Sequence, residues 1–204
     1  MKTCEYAGAP FEDARSHPWS DMRVSSSARY YDLITSPEHI RSSMEDFKPW
    51  AQYPAIETFY ALLERLNHKN SMLESNDCAF DGPHANETAG SDAALECSGR
   101  VMLFFRVLTR NTAGADVLWL KNELHHALGA LDPEFVSGVV GTTLVPVRYL
   151  RLPETNDQQL GRELMISFWA WGDTEADNMR NLGRLLKNLT QAVRKVMSSS
   201  RARG

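Results

Sequence analysis

The sequence predicts an α+β fold, and three stretches carry that prediction. Leu164-Met165-Ile166-Ser167-Phe168-Trp169-Ala170-Trp171 is a nearly unbroken apolar run closed by Gly172-Asp173, the pattern of a strand buried on both faces. Thr174-Glu175-Ala176-Asp177 then fits a capping box. It opens a helix toward Met197 whose Ala176, Met179, Leu182, Leu186, Leu189, Val193 and Val196 form one apolar stripe. Leu95 to Leu108, centred on Val101-Met102-Leu103-Phe104-Phe105, is a second strong strand.

Along the chain, residues 1–53 read as a partly extended arm, broken by His17-Pro18, Ser25-Ser26-Ser27 and Ser36-Pro37, with a brief helix between Pro37 and Phe47. Trp19, Tyr30, Tyr31, Phe47 and Trp50 are too many aromatics for a solvated linker, so the arm is expected to lie against the rest of the protein. A single domain over 54–197 follows, with a frayed tail at 198–204. Pro54 suits the first position of a helix whose Ile56, Phe59, Tyr60, Leu63 and Leu66 share a face. Ser71 to Phe80 is a polar strand, and residues 81–91 are a turn-rich loop. Asp116 to Leu131 is a helix stopped by Asp132-Pro133, and Thr142 to Leu152 is a strand containing Pro146.

The resulting order, αββαββα, is a ferredoxin-like order with its last strand moved to the front. It predicts an antiparallel-rich four-stranded sheet in spatial order 71–80, 95–108, 162–171, 142–152. Two long helices then cover one face, and the N-terminal arm and first helix pack elsewhere. The two most apolar strands fall in the centre, and Pro146 falls on an edge, where a missing donor is tolerated. The same order of elements is similar to that of type III secretion chaperones, small acidic dimers that hold an effector segment. That resemblance implies a dimeric, partner-holding module.

Alternation separates the faces of such a sheet. Val101, Leu103, Phe105 and Val107, with Leu164, Ile166, Phe168 and Ala170, make a wholly apolar face for the helices. The other face carries Glu96, Ser98, Arg100, Met102, Phe104 and Arg106, then Met165, Ser167, Trp169 and Trp171. Arg148 is expected to join it from the edge, and Glu74, Asn76 and Cys78 from the first strand. Arg100, Arg106, Arg148, Trp169, Trp171 and Glu74 are therefore the candidate binding residues. Three readings compete for them: structural cover by the arm and the first helix, a homodimer interface, and a ligand cleft between sheet and arm.

Other signals are weaker. Cys78 and His84 would need to meet across a loop to form a nucleophile and base, and Cys97 is a further candidate. His125-His126 are adjacent on a helix and point about 100° apart, so they do not share a metal and read as a solvated surface. Arg100, Arg106, Arg148 and Arg151 raise phosphate binding, but Gly138-Val139-Val140-Gly141 lacks the lysine of a nucleotide loop. A net charge of −4 argues against a nucleic-acid partner. No membrane-length apolar run or signal-peptide core is visible, and three unpaired cysteines suit a reducing compartment. These observations predict a cytoplasmic protein-binding or self-associating domain with no cofactor or metal; the alternative is a ligand-binding protein or enzyme with its site between sheet and arm.

Overall fold

A computed structural model describes residues 1–18, 30–87, 91–150, 152 and 158–201. Trp19, Ser25 to Ser27 and Arg151 lie outside the described residues. The elements are β1 (Lys2–Glu5), β2 (Arg15–His17), α1 (His39–Ser42), α2 (Pro54–Leu66), β3 (Leu73–Ala85), β4 (Leu95–Phe105), α3 (Thr109–Thr112), α4 (Gly114–Gly129), β5 (Gly138–Tyr149), β6 (Gln159–Gly172) and α5 (Glu175–Arg201). Short 3-10 turns span Phe11–Asp13 and Glu45–Trp50.

The four expected strands lie in the order β5-β6-β4-β3, antiparallel throughout. The sheet nevertheless has six strands rather than four. β1 and β2 run parallel to the outer edge of β5, pairing with its two ends. They are too short and too polar to show as strands in the sequence, and the open backbone of β5 is what orders them. Tyr6 N–H donates to the Thr142 carbonyl. By alternation Pro146 also faces outward, into the gap between the residues paired by β1 and those paired by β2, where no donor is called for.

The apolar face forms as expected from β4 and β6, but three helices cover it rather than two. α2, expected elsewhere, shares this face with α4 and α5 in one continuous core. The Phe59 ring lies 5.8 Å from that of Phe168. Small residues permit this packing: a Cβ on Gly183 of α5 would sit 3.6 Å from the Cβ of Ala55. Phe47 of the arm is also on this side, stacked between Phe59 at 4.8 Å and Phe80 at 5.1 Å. α2 therefore does not cover the mixed face, whereas His17, Tyr30 and Tyr6 of the arm do reach it.

Element boundaries differ for local reasons. β3 runs on to Ala85, because register shifts between Ser75 and Cys78 and between Asp81 and His84 absorb residues that read as a loop. Trp50 occupies the space beside Gly82, where a Cβ would stand 2.1 Å from the indole. β4 stops at Phe105, since the buried Asn111 side chain bonds both the N–H (2.8 Å) and the carbonyl (2.7 Å) of Phe105 as a neighbouring strand would. Val107, expected on the apolar face, has thus left the strand and is exposed. β5 starts at Gly138, and at Gly141 a Cβ would lie 2.5 Å from the Tyr6 ring. The α5 cap is as expected, with Asp177 N–H donating to Thr174 Oγ1 at 3.2 Å. The helix then continues to Arg201. Among the described residues no helix is long and apolar enough to cross a membrane.

Candidate functional site

Opposite the helices, the mixed face divides into a buried half and an open half. Register places Glu96 beside Trp171, Ser98 beside Trp169, Arg100 beside Ser167 and Met102 beside Met165. Continuing that alternation adds Phe104 and Glu163, with Val147 and Tyr149 from β5 and Arg15 and His17 from β2.

The buried half is organised on Glu163, whose side chain is 3% exposed. Asn76 Nδ2 donates to its two oxygens at 3.0 and 3.2 Å. His17 Nδ1 lies 3.8 Å away. Burial pushes the Glu163 carboxyl up to about 8, opposed by the Asn76 hydrogen bond, the charge of Arg15 and the Tyr149 hydroxyl. His17 packs edge-on to Phe104 at 4.7 Å and to Tyr30 at 5.6 Å, and burial lowers its imidazole to about 4. Burial thus favours the protonated acid and the neutral imidazole at this centre. Glu74, paired across from Phe104, is raised by burial to about 7 against the charge of Arg106. Asp77 closes the edge, 2.6 Å from Arg15 and 3.6 Å from Arg100. The cavity beside Glu163 holds about 10 Å³, room for about one water and not for a substrate.

Ser98, Arg100, Met165, Ser167 and Trp169 form the open half, each exposed or partly exposed on the two central strands. The Arg100 side chain is 44% exposed. Tyr6, itself exposed, tilts over Trp169 with ring centroids 6.0 Å apart.

Of the six residues expected at the site, Arg100 and Trp169 come together on the open half. Trp171 lies on the same face but is buried, its Nε1–H donating to Glu96 at 3.3 Å. Glu74 belongs to the buried half. Arg106 lies past the end of β4 and donates to the carbonyls of Lys69 (2.5 Å) and His68 (2.8 Å) at the end of α2. Arg148 is on the opposite face. It pairs with Leu160, and Val147 and Tyr149 are the β5 residues in phase with Glu163. Expecting it among the tryptophans assumed the wrong phase for β5. Cys78 is likewise turned to the helix side by the β3 register shift, with Sγ 3.0 Å from Met44 Sδ.

His84 stays on the mixed face, 3.4 Å from Glu96 and 2.8 Å from the Gly82 carbonyl. Thiol and imidazole are thus on opposite faces of the sheet, and the Cys78–His84 pair does not exist. Burial also pushes both thiols up, Cys97 to about 12, away from the nucleophilic thiolate. His125 is not a solvated surface residue: it lies 3.2 Å from the Cys4 carbonyl and 3.3 Å from Thr3 Oγ1 on β1. Among the described residues no three His, Cys, Asp or Glu side chains gather as metal ligands.

Sequence reasoning placed Asn76 on this face but missed Glu163, His17, Arg15 and Tyr149. One signal was present: Glu163 has the same parity as Met165, Ser167 and Trp169 and is the acid that opens that run. A concavity of about 360 Å³ opens elsewhere, at the β5 edge between the first residues and α4, and tryptophan does not line it. No family model, curated protein or solved structure matches this chain.

Proposed function

We propose that the protein is a non-catalytic, cytoplasmic protein-interaction domain that binds through the open half of its mixed face, with a second copy of the chain as the partner. The observation that carries this reading is incomplete cover of the second face. Three helices occupy one face of the sheet, while Arg100, Ser167, Ser98 and Trp169 stay accessible on the central strands of the other. Arg, Trp and Met are the residue types enriched in protein interfaces. An isologous contact whose two-fold axis runs diagonally across the two central strands would set Arg100 of one copy over Trp169 of the other. The permuted ferredoxin-like description of the four central strands, and the likeness of element order to dimeric type III secretion chaperones, agree with this reading.

Sedimentation velocity across a wide concentration range tests it. The expected result is a concentration-dependent dimer, weakened about tenfold or more by Trp169→Ala and by Arg100→Glu. A monomer at every concentration, or a dimer indifferent to both substitutions, would overturn it. The ligand-site alternative has its own support in the concavity at the β5 edge.

A further inference from the structure

We propose that the groove between Tyr6 and α4 binds a small carboxylate with an apolar body, independently of any contact made by the sheet face. The groove, about 360 Å³, lies in the size range of small-ligand sites. Leu118 from α4 and Leu144 from β5 give it an apolar patch beside Lys121 and Arg162, while the Tyr6 ring turns away to Trp169 on the other face. Leu118 is 44% exposed, a large apolar side chain facing solvent beside a concavity.

Charge selects the ligand. Lys121 at the groove is already engaged by Glu5 at 2.5 Å. Arg162 is different. Its guanidinium faces the ring of Phe11 at 4.5 Å, and among the described residues no carboxylate stands within ion-pair distance of it. An arginine so placed presents a fork of donors that a carboxylate accepts in bidentate geometry. The chain is shaped to leave that fork open. Gly8 passes so close to β5 that a Cβ would lie 2.5 Å from the Leu144 carbonyl and 3.4 Å from Arg162 Nη1. At the far wall a Cβ on Gly114, the first residue of α4, would meet nothing within 4 Å. The start of α4 thus leaves open space at that wall, and the acid of its first turn, Asp116, is already paired with Arg110 at 3.2 Å. The site joins one cation to an apolar patch with open space beside it, which is the complement of a carboxylate on a short hydrocarbon.

Octanoate is the probe, with octan-1-ol as its uncharged counterpart, titrated by calorimetry into the full chain. Saturable octanoate binding is expected, at least about tenfold tighter than octan-1-ol. Arg162→Gln should weaken it about tenfold or more, removing the charge-assisted bonds while leaving octan-1-ol unchanged. Leu118→Glu, at an exposed helix position that tolerates substitution, should abolish it by placing an acid in the groove. Absence of saturable octanoate binding to the wild type, equal affinity for octan-1-ol, or binding that survives both substitutions would overturn the proposal. So would a dimer that occludes the groove and excludes octanoate.

Discussion

Asn76 Nδ2 stands between Glu163 and His17, 3.0 and 3.2 Å from the carboxyl oxygens of the first and 3.0 Å from Nδ1 of the second. One amide thus ties β3, β6 and β2 together at the bottom of the mixed face. It donates to a neutral imidazole nitrogen, consistent with burial holding His17 down to about 4.

This arrangement makes stability depend on pH. Between about 4.5 and 8 the unfolded chain gives up the Glu163 proton while the folded chain keeps it, so stability falls as pH rises. Glu74 adds the same sign between 4.5 and about 7. His17 acts oppositely: from about 4 to 6.5 the unfolded chain holds a proton the folded chain refuses, so stability there gains with pH. Above about pH 6.5 these acids act without that offset. Urea denaturation at about pH 4.5, 6.5 and 8.5 is therefore expected to show wild-type stability falling over the last interval. Glu163→Gln should be nearly neutral at the lowest pH and more stable than wild type, on the order of 4 kcal/mol, at the highest. A wild-type curve that is flat or rising above pH 6.5 would contradict the assignment.

Trp169 and Trp171 share a face, and their substitutions should part company. Trp171 is 6% exposed and supplies the indole donor to the buried Glu96. Trp171→Ala is expected to cost about 3–4 kcal/mol in chemical denaturation. Trp169 is only partly buried, so Trp169→Ala should cost about 1 kcal/mol or less. Equal losses would mean that the open half is not open.

Two glycines give a paired test of packing by thermal melting. A Cβ at Gly129, the last residue of α4, would meet nothing within 4 Å, and its φ is not positive. Gly129→Ala is expected to stabilise by about 0.5–1 kcal/mol, chiefly through the unfolded chain. At Gly99 the Phe168 ring crosses the strand, and a Cβ would lie 2.4 Å from its Cζ and 2.7 Å from the Ala79 carbonyl. Gly99→Ala should lower the melting temperature, at a cost of about 2 kcal/mol or more. A stabilised Gly99→Ala would refute that packing.

Much of the fold was legible because its signals are local. The run from Leu164 to Trp171 marks a central strand whatever surrounds it, and Thr174 caps α5 through a bond three residues away. Arg100 and Trp169 were placed on one face by parity within uninterrupted strands. Parity failed wherever the phase of a strand is decided at a distance. In Leu144-Val145-Pro146-Val147-Arg148-Tyr149 both alternations hold apolar residues, so only pairing with β6 shows that Val147 and Tyr149 face Glu163 and Arg148 does not. In β3, the register shift near Asn76 and Asp77 carries Cys78 across the sheet. Bulges leave little trace in composition.

By itself the sequence determined an α+β chain, its two central strands, its long helices and which of their faces is apolar, because hydrophobic spacing and caps act over a few residues. Only the tertiary structure decided that β1 and β2 complete the sheet, that α2 joins the helical face, and that Asn76, His17 and Glu163 meet. It alone also formed the groove at Arg162. Those contacts join residues tens of positions apart, and their geometry is set by register and close backbone approach, which no single segment encodes.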